Sequence, residues 1–174
     1  MAAGMRRWDD IRQAWAGGLA PIPLERIRPE ASTLTREVLS TVGLPTEKES
    51  SETYFYHDER LLRPVTFAGR LFLPFNQDHR ALLAVEPDGD AVYALYPVTP
   101  PVIQFVNTDL ADFIYCYGLL RARVPDLRAA TEARQVKAIV GQLRRRIKAA
   151  DPQALADKAN WWLSTLDQAR QGEI

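Results

Sequence analysis

Few side chains in this sequence are of a type that does chemistry. Its 174 residues include two histidines, His57 and His79, and one cysteine, Cys116. A closed zinc site of Cys and His ligands would need all three and a carboxylate besides, and no ligand spacing joins them. Asp78-His79 has the composition of an acid-oriented base. Adjacent residues on a polar loop face different ways, however, and no Gly-x-Ser-x-Gly or comparable nucleophile setting accompanies them. His79 therefore reads as a surface loop histidine. Cys116, beside the buried members of an apolar helical stripe, reads as an inert thiol. The glycines at 43, 69, 89 and 118 stand singly, as helix stops, bulges or turns, so there is no phosphate loop or dinucleotide fingerprint. These residues predict no catalytic group, no metal site and no cofactor.

Binding needs only a shaped and charged surface, and the charge is unevenly spread. The net charge is zero, yet residues 121 to 150 carry nine basic and two acidic residues, while residues 1 to 120 carry 11 basic and 16 acidic. Arg144-Arg145-Arg146 lies in the basic stretch and has the charge to touch phosphates, but no DNA- or RNA-binding motif accompanies it, and a neutral chain has no general pull toward a polyanion. Charges on one helix are most often its solvated face. No direct nucleic-acid contact is expected. A second segment, 47 to 60, sets Glu47, Glu49, Glu52, Asp58 and Glu59 against Lys48 and Arg60, beside Tyr54, Phe55 and Tyr56. Acids interleaved with aromatics suit a face for a basic protein partner: the acids speed encounter, and the tyrosines supply anchors. Glu47, Glu49, Glu52, Tyr54, Tyr56, Asp58 and Glu59 are thus the candidate partner-binding residues. The bland alternative is a solvated loop with core aromatics.

The elements that position these residues follow from periodicity and punctuation. Trp8, Ile11 and Trp15 recur at helical spacing over 5 to 16, stopped by Gly17-Gly18, and prolines 21, 23 and 29 predict an extended stretch. Ser32 or Thr33 caps a helix over 34 to 42 that Gly43-Leu44-Pro45 ends. Strands are predicted around Tyr54 to Tyr56, over 66 to 75 with interruptions near Gly69 and Pro74, and over 81 to 85 and 91 to 95 as a hairpin about Pro87-Asp88-Gly89. Phe105-Val106 leads into Asn107-Thr108-Asp109, which opens a helix with Leu110, Phe113, Ile114 and Tyr117 on one face. A longer helix covers 131 to 148, with Val136, Ile139, Val140, Leu143 and Ile147 on its buried side. Asp151-Pro152 opens the last helix, whose stripe is Leu155, Ala159, Trp162, Leu163 and Leu166, leaving Trp161 partly exposed or in a contact. The fold class expected is α+β: a mainly antiparallel sheet with helices packed at its face and ends. Residues 1–32 form an N-terminal helix and extended linker, and 33–174 a single domain.

Composition agrees with this reading. Hydrophobic residues make up 47% and charged residues 25%, the balance of one ordinary globular domain with a proper core. A lone cysteine suits a reducing compartment, the N-terminus lacks the apolar run of a signal peptide, and no stretch approaches the roughly 18 apolar residues of a membrane helix. A cytoplasmic location and no membrane partner are expected.

Four segments resemble one family. Val42-Gly43-Leu44-Pro45 is similar to the helix-ending Val-Gly-Leu-Pro of the fourth family of the SUKH superfamily of bacterial immunity proteins. Gly89-Asp90-Ala91-Val92-Tyr93 resembles that family's hairpin exit, and Phe105-Val106-Asn107-Thr108-Asp109-Leu110-Ala111-Asp112-Phe113 its Phe-Val-Asn-Ser-Ser-Leu-x-x-Phe segment. Trp162 to Asp167, with Gly172, resemble its closing helix. Leu73-Pro74, where the family often has Leu-Gly, and the basic helix at 131 to 148 depart from the pattern. The resemblance implies a SUKH-like α+β fold and a non-enzymatic immunity protein that binds and neutralises a bacterial toxin, with nucleases and nucleic-acid deaminases among the family's targets. The alternative is an interaction or regulatory module of the same fold that binds a cellular protein.

Overall fold

The computed structural model describes residues 2–46, 53–87 and 89–173. The chain forms an antiparallel sheet packed on a central helix, with further helices around that helix. Helix α1 spans Ala2–Ala14. Its Ile11, with Trp15 just beyond its end, belongs to the same hydrophobic cluster as the sheet and the later helices. Strand β1 (Leu19–Ala20) pairs with β2 (Leu44–Pro45) and brackets helix α2 (Thr33–Thr41). Ser32 caps α2 by accepting from the Thr35 amide at 3.0 Å, and its hydroxyl also donates to the Asp90 carboxylate. Gly43 has φ +86°, and a Cβ there would sit 1.9 Å from the Ala20 carbonyl oxygen. Glycine is required both by the left-handed backbone and by the neighbouring strand.

The main sheet runs in the order β3 (Thr53–Phe55), β5 (Arg70–Asp78), β6 (Ala81–Val85), β7 (Val92–Tyr96), β8 (Val102–Asn107), with β4 (Val65–Phe67) pairing the first part of β5. All pairings are antiparallel. The predicted break near Gly69 is a tight turn in which Ala68 and Gly69 both have positive φ, the geometry that a two-residue hairpin of native twist demands. The break near Pro74 is not found. Pro74 stays inside β5, where the register shifts between it and Asn76, a bulge that accommodates the missing amide. Strand β8 was not foreseen: it pairs with β7, the strand just before it in the chain, but the prolines at 97, 100 and 101 and the helix cap that follows mask its own signal.

Helix α3 (Leu110–Arg121), capped by Asp109 through the Asp112 amide at 2.8 Å, is buried on nearly every side. Phe113 lies 5.4 Å from both Phe75 of the sheet and Tyr117, ring centre to ring centre, and 6.4 Å from Phe55. Trp15 donates its indole N–H to the Ile114 carbonyl at 2.9 Å, and a Cβ on Gly118 would meet that indole nitrogen at 2.7 Å, so α1 and α3 touch where α3 has no side chain. Cys116 is fully buried on this helix.

Helices α4 (Val124–Ala129) and α5 (Ala133–Ala150) follow, the first unforeseen. α5 starts behind a capping box of Glu132 and Gln135, and only Leu143 and Ile147 of its expected face are fully enclosed. The last helix does not start at Asp151-Pro152. Asp151 caps a short 3-10 turn, Pro152–Leu155, and helix α6 spans Trp161–Gln171 behind Asn160. The later start rotates the stripe to Trp161, Trp162, Thr165, Leu166 and Ala169. Of the two alternatives for Trp161, partly exposed or in a contact, partial exposure is not found: Trp161 is buried, edge-on to Trp162.

Candidate protein-binding surface

Strand β3 is an edge of the sheet, and its pleat separates three aromatic residues. Phe55 enters the core, Tyr54 is half-buried, and Tyr56, just past the strand, holds its place through its amide, which donates to the Phe75 carbonyl at 2.9 Å. The Tyr54 and Tyr56 rings meet edge to face at 5.7 Å. The Arg60 guanidinium lies over both, 5.2 Å from the first ring centre and 4.9 Å from the second, and donates to the Tyr54 hydroxyl at 3.1 Å. The same guanidinium pairs with Asp58, its Nε reaching Oδ2 at 2.9 Å, while the Asp58 carboxylate also accepts the Arg60 amide at 3.0 Å.

The segment is held to the body of the protein from behind. A His57 ring nitrogen contacts the Pro45 carbonyl oxygen at 2.8 Å, and Arg26 donates to the His57 carbonyl at 2.6 Å. The electrostatics follow from the contacts. The hydrogen bonds from Arg60 hold the Asp58 carboxyl below the usual carboxylate range, and the same pair holds the Arg60 guanidinium above its ordinary value. Burial, followed by the neighbouring Tyr54, pushes the Tyr56 hydroxyl up.

Of the candidate residues, Tyr54, Tyr56 and Asp58 come together in this cluster, and Glu59 beside them is exposed. Glu47, Glu49 and Glu52 lie outside the described residues. Arg60 was not singled out in the sequence, where it counts only as a charge of the wrong sign in an acidic stretch. In the structure it is the centre that Tyr54, Tyr56 and Asp58 share. The Tyr-x-Tyr alternation and the Asp-x-Arg spacing were its signal. The described part of the face is thus half-buried Tyr54 and the Asp58–Arg60 ion pair, with exposed Glu59 at its edge; Tyr56, expected from the sequence to face a partner, is instead buried in the core beneath Arg60. Arg and Tyr in such packed groups are the residue types that dominate binding energy at protein interfaces.

Other surfaces are built differently. The sheet face away from α3 carries Phe72, Ala84 and Leu95, and Arg70 covers it: its guanidinium sits 5.1 Å from the ring centres of Phe72 and Tyr93 while pairing with Glu86 at 2.6 Å. A cleft of about 570 Å³ lies between α1, α3 and α5, lined by Asp10, Asp112, Tyr115 and Arg146. Arg146 donates to the Tyr115 hydroxyl across it at 3.1 Å. His79 occupies the exposed turn between β5 and β6. Among the described residues no group of three or more His, Cys, Asp or Glu side chains is placed to hold a metal ion, and no helix is long and apolar enough to cross a membrane.

The residues that carry the family resemblance sit elsewhere, in the scaffold. Gly43 lets β2 meet β1, Asp90 binds the cap of α2, and Asn107 and Trp162 bond inside the core. They hold the fold together and stand apart from the Tyr54–Arg60 cluster. The family model described as SUKH-4 immunity protein matches residues 15–168. No curated protein and no solved structure matches the chain.

Proposed function

The chain belongs to the SUKH-4 immunity protein family, and on that premise we propose that it binds and neutralises a cognate bacterial toxin without catalysing any reaction. The family match over residues 15–168 is the observation that carries this reading. The chemistry of the surface supports it: the residues gathered at the sheet edge are an aromatic anchor and an ion pair, which bind, and do not include a nucleophile set against a base. Inhibition by occlusion asks for nothing more.

The toxin-facing surface in this proposal is the face of Tyr54, Asp58 and Glu59, centred on Arg60, with Glu47, Glu49 and Glu52 preceding it in the chain. A toxin that acts on nucleic acid, a nuclease or a deaminase, carries a basic groove, and an acidic stretch of this sequence would draw it in, with exposed Glu59 meeting it while Tyr54 packs. Asp58 contributes less charge than its type suggests, because Arg60 neutralises it. Protection takes place in the cytoplasm of the producing cell, with no cofactor. The test is co-expression of the chain with a cognate toxin domain, scored by survival, and repeated with Tyr54→Ala, Glu59→Lys and Arg60→Ala combined, which leaves the buried Tyr56 in place. Survival with the wild type and death with the triple variant, both folded, is the expected outcome. Death with both would remove the reading.

A further inference from the structure

Helix α5 carries six cations, Arg134, Lys137, Arg144, Arg145, Arg146 and Lys148, and no carboxylate. At 100° per residue, five of them, all but Arg146, fall within an arc of about 100°. Arg146 points away from that arc to Tyr115. All five are exposed, and none is in an ion pair with a carboxylate among the described residues. The arc lies beside the line of Leu143 and Ile147, by which the helix is buried. The stripe is about 21 Å long at 1.5 Å per residue. It falls into two groups, Arg134 with Lys137 and Arg144 with Arg145 and Lys148, separated by about two turns in which Ala138 and Gly141 leave the helix surface low. A Cβ on Gly141 would meet only the tip of the Arg145 side chain, at 3.8 Å.

Solvated helix faces ordinarily mix the two signs, because Glu and Lys one turn apart stabilise a helix by about 0.2–0.5 kcal/mol and like charges at the same spacing cost as much. Arg144 and Lys148 are such a like pair, and nothing on the helix offsets them. We propose that this stripe is a docking surface for an acidic protein surface, in the form of a helix that presents two groups of carboxylates about two turns apart and lies along α5. Three of the five cations are arginines, whose fork matches a carboxylate in two bonds. The low stretch at Ala138 and Gly141 lets the partner backbone approach between the two charged groups.

A protein fits better than a nucleic acid. The chain as a whole is neutral, α5 has no aromatic residue on which a base could stack, and the cleft beside α5 is lined by the carboxylates Asp10 and Asp112, which would repel a phosphate backbone. The stripe is a face separate from the Tyr54–Arg60 cluster, and the inference stands whether or not the toxin reading holds.

The probes are a synthetic helical peptide with glutamates in two groups two turns apart, and a short DNA duplex, each titrated into the isotope-labelled full chain. Amide shifts are read at about 50 mM and about 300 mM NaCl, since exposed charge pairing weakens as the Debye length shrinks. The peptide should move the amides of 134 to 148 and bind more weakly at the higher salt. Arg144→Glu with Arg145→Glu and Lys148→Glu should weaken it at least roughly tenfold, and a lysine peptide of the same spacing should bind that variant. If the reversal disturbs folding, the glutamine versions of the three replace it, with the same loss expected. A peptide that does not bind at the lower salt, shifts that map away from α5, or a duplex that binds more tightly than the peptide would each overturn the proposal.

Discussion

Trp162 donates its indole N–H to the side-chain oxygen of Asn107 at 2.8 Å, joining two residues 55 positions apart inside the core. Asn107 in turn donates to Asp151 at 2.9 Å, and Asp151 also accepts from the amide and the hydroxyl of Thr108, at 2.7 and 2.9 Å. The end of β8, the turn before α6 and α6 itself are locked by this one buried network. Its members need one another, since a buried polar group left without its partner costs about 1–3 kcal/mol.

Trp162→Ala should therefore destabilise by about 3–5 kcal/mol, the range for a large aromatic in a core. Trp162→Phe, which keeps most of the volume and loses the donor, should cost about 1–3 kcal/mol. A double-mutant cycle with Asn107→Ala, read by chemical denaturation, should give a coupling energy well above error. Additive single effects would mean that the bond does not hold these elements together.

Phe113→Ala should also cost about 3–5 kcal/mol, because its ring touches the sheet and two aromatic neighbours of α3 and β3. A thermal melt near that of the wild type would place this ring outside the core.

Gly43 and Gly69 have similar positive φ, +86° and +78°, but different surroundings. At Gly69 a Cβ meets nothing within 4 Å, so Gly69→Ala should cost only the left-handed strain, about 1–2 kcal/mol. Gly43→Ala adds a collision with the Ala20 backbone and should cost distinctly more. Equal costs would show that β1 can move aside freely.

Burial, with the Asp78 carboxylate as a further cause, pushes the Tyr96 hydroxyl above its ordinary value, and burial does the same at Tyr56. A raised value in the folded state means that the stability is complete below the unfolded tyrosine value, about 10, and is lost as pH rises through the folded one. Denaturant midpoints measured across the alkaline range should fall less steeply for Tyr96→Phe than for the wild type. Parallel curves would mean that Tyr96 takes no part.

Local signals made much of the fold legible. The cap at Ser32, the stop at Gly43, the hairpin about Gly89, the cap at Asp109 and the stripe of α3 are each written within a few residues. What escaped lay in residues whose local signal points elsewhere. The six residues of β8 sit between prolines and a helix cap. Asp151-Pro152 carries a helix-start signal, yet the Asp151 carboxylate is drawn to Asn107 and Thr108, and the helix begins ten residues later. Arg60 is a third case: counted as charge it weakens an acidic patch, and only the turn after β3 brings it over two tyrosine rings.

The central claim is neutralisation by binding, and the direct measurement is residual toxin activity as purified chain is titrated into a fixed amount of the toxin domain. The account gives a fall to zero at a fixed molar ratio, with the toxin unaltered in mass and active again once the complex is separated. Full activity in molar excess of the chain, or loss at far below one chain per toxin with a covalent change in it, would contradict the account.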